Sequence, residues 1–175
     1  MSSETMFKGR IIELTLDQVT LPNGEAATFE IVHHPGGAAV VALDAERRVC
    51  LLRQYRHALG DWLWELPAGK LDHREPPLDC ARRELEEEAG RQAHDWRPLG
   101  RIISSPGVFT EVVHLFLARD LVPVAARTEA HEVLEVHWIG WDTALSMARR
   151  GDIVDAKTLV GLYRARELLS AADSA

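Results

Sequence analysis

Residues Gly69 to Arg91 read GKLDHREPPLDCARRELEEEAGR: a glycine turn, a charged segment carrying Pro76 and Pro77, and then a helix dense in glutamate. At about 100° per residue, Leu78, Ala81, Leu85 and Ala89 share one stripe of a helix running from Leu78 to Ala89, which suits burial against a core. Glu84, Glu87 and Glu88 fall within an arc of roughly 100° beside that stripe. Asp79, Arg82 and Glu86 point towards water. Three carboxylates on one helical face repel one another, by roughly a few tenths of a kcal/mol per exposed pair and more where they are partly buried. Taken alone, a glutamate run reads as a solvated acidic face. A hard divalent cation such as Mg²⁺, which takes oxygen ligands and bridges to substrate phosphates, is the functional alternative.

The wider spacing favours the cation. Gly69, five residues, Glu75, seven residues, and then Arg83-Glu84-Leu85-Glu86-Glu87-Glu88-Ala89-Gly90 resembles the Nudix box, G-x5-E-x7-R-E-U-x-E-E-x-G-U, where U is a bulky aliphatic residue. Every defined position matches except the last, which is Arg91. A cation just beyond Gly90 complements a helix C-terminus, so a small packing change is expected there and no loss of chemistry.

Composition sets outer bounds. With 175 residues, 46% of them hydrophobic, one compact domain with a real core is the default. The formal charge of -7 argues against a nucleic-acid backbone as the main partner. It does not exclude a small phosphorylated substrate, because a bound metal inverts the local field. No apolar run is long enough to span a bilayer, and MSSETMFKGR lacks the apolar core of a signal peptide. Cys50 and Cys80 read as buried free thiols, which fits a reducing cytoplasm.

Around the box the chain alternates strand and turn signals. Phe7 to His34 reads as a β-hairpin turning at Leu21-Pro22-Asn23-Gly24-Glu25, marginal by itself and in need of another surface. Residues 1–36 are therefore expected to form an N-terminal hairpin segment, and 37–175 the main domain. His33 and His34 would face opposite ways on a strand and read as surface or interface histidines. Ala38 to Leu43 and Val49 to Arg53 read as a strand pair at the centre of a mixed sheet. Arg56 is either a surface ion-pair partner or a phosphate clamp. Trp62 and Trp64 alternate on one strand face and read as core. Glu65 sits among apolar neighbours, where a carboxylate is costly unless paired or liganded. Pro67 and Gly69 force a turn that exposes the Ala68 carbonyl as a further oxygen ligand. Strands are expected over Trp96–Ile103, Glu111–Ala118 and most of Glu132–Ile139, with Glu129 on the loop between the last two. Asp142 and Asp155 are expected to cap two late helices. Strands followed by helices, with one helix between strands, point to an α/β or α+β sandwich.

Gln54-Tyr55-Arg56, Leu63-Trp64-Glu65-Leu66-Pro67-Ala68-Gly69-Lys70-Leu71 and Ser105-Pro106-Gly107 resemble the ADP-ribose pyrophosphatase branch of the Nudix hydrolases, as do Glu132-Val133-Leu134-Glu135-Val136 and Asp155-Ala156-Lys157-Thr158. The resemblance covers about Phe29 to Leu168. It implies an α/β/α sandwich around a mixed sheet, and a homodimer whose N-terminal β segments cross to the partner. It also implies Mg²⁺, with Mn²⁺ as the alternative, acting on a nucleoside diphosphate. Carried over by position, Glu84, Glu88 and the Ala68 carbonyl would hold metal, with Glu87 in the same cluster. Arg83 would orient the carboxylates, Arg56 and Glu65 would help bind substrate, and Pro106 would mark the substrate loop. The water-activating base would be Glu132 or Glu129. Relatives often carry an arginine where this chain has Phe29; an aromatic there would stack on a base. The expected reaction is hydrolysis of ADP-ribose to AMP and ribose 5-phosphate. Another nucleoside diphosphate derivative such as GDP-mannose or NADH is the alternative within the class, and a non-catalytic nucleotide sensor the alternative outside it.

Overall fold

The computed structural model describes residues 2–72, 74–127 and 133–172. Its elements are β1 (Ser2–Lys8), β2 (Glu13–Thr20), β3 (Ala26–His33), β4 (Gly37–Ala42), β5 (Arg48–Arg56), β6 (Asp61–Glu65), β7 (Ala68–Lys70), α1 (Pro77–Ala89), β8 (Arg91–Ile103), β9 (Val112–Pro123), β10 (Leu134–Gly140), α2 (Trp141–Arg150) and α3 (Ala156–Ala172).

Two sheets build the body. One is mixed, with order β7-β4-β9-β8 and β4 parallel to β9; the other is antiparallel, with order β10-β5-β6. β4 is buried at every residue and alternates between two cores. Ala39 and Val41 join Leu51, Leu115, Leu117 and Leu162 in the core under α2 and α3. Ala38, Val40 and Ala42 join Leu52, Cys80, Ala81 and Leu85 in the core under α1. A strand apolar on both faces needs cover on both, and the helices supply it, giving the expected α/β/α sandwich. The expected central pairing of β4 with β5 does not occur. Past the Leu43–Val49 bridge the two strands part, and β5 is hydrogen-bonded to β10 and β6 instead.

The expected N-terminal hairpin forms as β2 and β3, turning at Leu21 to Glu25, and β1 adds a third antiparallel strand that was not expected. The sequence SSETMFK is exposed at all seven positions of β1 and shows no burial alternation, so nothing in its pattern announces a strand. The sheet joins the body through Val32, whose N–H donates to the Val108 carbonyl and whose carbonyl accepts the Thr110 N–H.

α1 starts at Pro77, suited to a first turn that needs no intrahelical N–H donor. It ends at Gly90 with φ 60°, where glycine avoids the left-handed penalty. Arg91 donates to the Gly90 carbonyl and lies over Trp138, as expected of a cation at that end. Asp155 caps α3 through the Thr158 N–H. Asp142 is not a cap: α2 begins after Gly140 with no side-chain cap, and Asp142 sits in the first turn. No helix among the described residues is long and apolar enough to cross a membrane.

Candidate active site

The box folds so that Arg83 gathers its carboxylates. Its Nε and Nη2 donate to the two oxygens of Glu75, each at 3.0 Å. Its Nη1 reaches Glu84 Oε1 at 2.6 Å and Glu87 Oε2 at 3.1 Å, and its Nη2 also meets the Lys70 carbonyl. A planar fork with five N–H donors can grip Glu75 by two bonds and still reach Glu84, Glu87 and a carbonyl, more contacts than the three donors of an ammonium allow. Glu84 and Glu88 are buried, and Glu88 Oε2 accepts the Ala68 N–H at 2.8 Å. Gly69 lies so close to Glu84 that an added Cβ would come within 1.8 Å of Oε1. That contact explains the glycine, which lies within strand β7 and not in the turn expected there. The Cys80 thiol, which donates to the Gly69 and Lys70 carbonyls of β7, is pushed up to about 12 by burial and by the negative charges of Glu84 and Glu75.

A second ionic group stands four residues upstream of Gly69. Glu65 is 1% exposed. Arg56 grips both of its oxygens, at 2.6 and 2.7 Å, and Lys157 Nζ also donates to Oε2. Burial alone would raise the Glu65 carboxyl. The Arg56 hydrogen bonds and the charges of Lys157 and Arg56 outweigh it and hold the group at about 2. Lys157 in turn pairs with Asp155 Oδ1 at 3.0 Å.

Arg56, Glu65, Lys157, Asp155, Ala68, Gly69 and Lys70 line one cavity of about 460 Å³, together with Gly36 to Ala38, Ile11, His34 and Glu111. That volume suits a nucleotide-sized ligand, ordinary sites spanning roughly 300–1,000 Å³. Residues 33–160 match the family model described as NUDIX domain.

The chain belongs to the Nudix hydrolase family.

Among its relatives, an ADP-ribose pyrophosphatase of Mycobacterium tuberculosis is 42% identical over 93% of this chain and 80% of that one. A methanol dehydrogenase activator of Bacillus methanolicus is 37% identical over 93% of this chain and 89% of that one. A solved structure described as an ADP compounds hydrolase has a TM-score of 0.85 at 22% identity, covering 98% of this chain and 94% of that one, and so shares its fold.

In this Nudix hydrolase the candidate ligands on α1 and at Ala68 in β7 are all oxygens, the set a hard divalent cation takes. Arg83 and the Ala68 N–H engage the carboxylates, and among the described residues no three acidic, thiol or imidazole groups already stand grouped for a metal. Arg56 and Glu65 come together as a bonded pair lining the cavity, while Phe29 and Pro106 are not among its lining residues. Phe29 lies exposed on β3, and Pro106 is exposed in the loop before β9. Glu129 and Glu132 lie outside the described residues. The chain on either side is fixed: the Arg127 N–H donates to the Glu87 carbonyl, and the Tyr55 N–H to the Val133 carbonyl.

Among the cavity residues that sequence reasoning missed are His34, Glu111 and Lys157. His34 was expected at the surface or an interface and is half-buried here, 3.4 Å from Glu111, another unanticipated lining residue. Lys157 carried a usable signal: a cation in the first turn of a helix opposes the helix dipole and calls for anionic partners.

Proposed function

We propose that this chain hydrolyses the diphosphate linkage of ADP-ribose, giving AMP and ribose 5-phosphate, with Mg²⁺ or Mn²⁺ as its cofactor. The observation that carries the reading is the Arg83 fork, which fixes Glu75, Glu84 and Glu87 of the box beside β7. Glu84, Glu88 and the Ala68 carbonyl would hold the cation, with Glu87 in the same cluster. When bound, the cation neutralises adjacent phosphoryl charges and acidifies water. Arg56, held by Glu65, binds a phosphoryl oxygen from the cavity wall. Glu132 or Glu129 takes the proton of the attacking water. The water oxygen bonds to one phosphorus, the bridging oxygen leaves with its electron pair, and each product keeps one phosphate. Cys80, kept protonated by burial, takes no part.

The similarity to a named ADP-ribose pyrophosphatase supports this choice of substrate. The intact box glutamates argue against a sensor. A panel of ADP-ribose, GDP-mannose and NADH incubated with Mg²⁺ tests it. AMP release fastest from ADP-ribose is expected; binding without turnover of any conjugate would establish the sensor instead.

The exposed apolar side chains of the N-terminal sheet, Met6, Phe7, Ile11, Ile12 and Phe29, support a homodimer. Light scattering is expected to give twice the 19.5 kDa chain mass; a monomer at micromolar concentration would refute it.

A further inference from the structure

We propose that Lys157 is a second phosphate-binding residue of the cavity, working with Arg56 from the other side of the buried Glu65 carboxylate. The inference rests on the diphosphate reading for the class of ligand.

Lys157 lines the cavity with 17% of its side chain exposed. An ammonium has three N–H donors. Two are engaged, by Glu65 Oε2 and Asp155 Oδ1. One remains, on a residue facing a space of nucleotide size. The position is costly for the helix, since a cation in the first turn opposes the dipole. It is also a poor way to gain stability, because a buried ion network is commonly replaced by apolar residues without loss. What the network does achieve is to let two cations share one wall. Arg56 and Lys157 repel each other, and Glu65 between them cancels that repulsion while leaving each, on the cavity lining, with N–H donors that Glu65 does not engage. Lys157 is also fixed in advance. Thr158, in the next position, accepts the Leu66 N–H at 2.9 Å and donates to Asp155, which ties the first turn of α3 to the end of β6. Donors held in place before the ligand arrives spend little on reorganisation.

Titration calorimetry with ADP in EDTA isolates the contact from metal and from turnover, with adenosine as the phosphate-free control. Lys157→Met is expected to weaken ADP by about tenfold or more and leave adenosine within about twofold. Lys157→Arg, which keeps the charge, is expected to recover most of the ADP affinity. If Lys157→Met does not fold, Lys157→Gln carries the same comparison. Unchanged ADP affinity, or adenosine weakened in step with ADP, would overturn the proposal. If the wild type cleaves no conjugate, the assigned function falls while the ADP comparison still decides the role of Lys157.

Discussion

Replacing Glu65 with glutamine removes one charge from the most deeply buried ionic group described here. The carboxyl moves from an ordinary 4.5 to about 2 in the fold. Its folded value is depressed, so its stabilisation is complete above the unfolded value and disappears as pH falls towards the folded one. At ~1.36 kcal/mol per pH unit, that gap corresponds to about 3 kcal/mol at neutral pH. An independent argument gives the same size. Removing one partner of a buried pair costs about 3–5 kcal/mol, because the remaining charge is left uncompensated, and here both Arg56 and Lys157 would be left. Glutamine can accept from one of them, but its amide presents donors to the other. Urea midpoints of wild type and Glu65→Gln, taken at intervals from about pH 7 to pH 2.5, read both features. The variant is expected to be about 3 kcal/mol less stable at pH 7, and the two proteins to converge between about pH 5 and 2. A deficit under about 1 kcal/mol at pH 7, or one that stays constant into acid, would refute the ionic network as drawn.

Two further substitutions test the glutamate face. Gly69→Ala must displace the Glu84 carboxylate, so hydrolysis is expected to fall by about tenfold or more with little loss of melting temperature, read by paired kinetics and calorimetry; unaltered kinetics would show that the contact is not needed. Arg83→Lys keeps the charge and loses the fork, so activity is expected to drop about a hundredfold even at saturating Mg²⁺; full activity would mean that the bond to Glu75 carries no function. In the core, Leu85→Ala is expected to cost about 2–5 kcal/mol by denaturant titration, since Leu85 is fully buried under the mixed sheet.

The parts of this molecule that were legible in its sequence are those whose chemistry is local. Gly69, Glu75, Arg83 and the glutamates lie within one short span, and their spacing carries both the helix and its ionic face. Asp155 announces a cap because capping acts over three residues. The parts that were not legible depend on distance or on missing patterning. Lys157 meets Glu65 across 92 residues of chain, and apart from its awkward place on the helix nothing foretold that pairing. β1 is exposed along its length and has no alternation to read. The division of β4 and β5 between two sheets turns on the corner at Leu43 and Val49, two residues that look alike in either topology. Phe29 and Pro106 carried expectations from resemblance, yet neither lines the cavity of a single chain.

The central claim is that the glutamate face of α1 drives hydrolysis. AMP release from ADP-ribose with Mg²⁺, compared between wild type and Glu88→Gln, tests it most directly. Glu88 accepts the Ala68 N–H at 2.8 Å, an interaction that glutamine can keep through its own oxygen, so the fold is expected to survive. The rate is expected to fall at least about a hundredfold. Equal rates in the two proteins would contradict the assignment of Glu88 and, with it, the reading of the whole face.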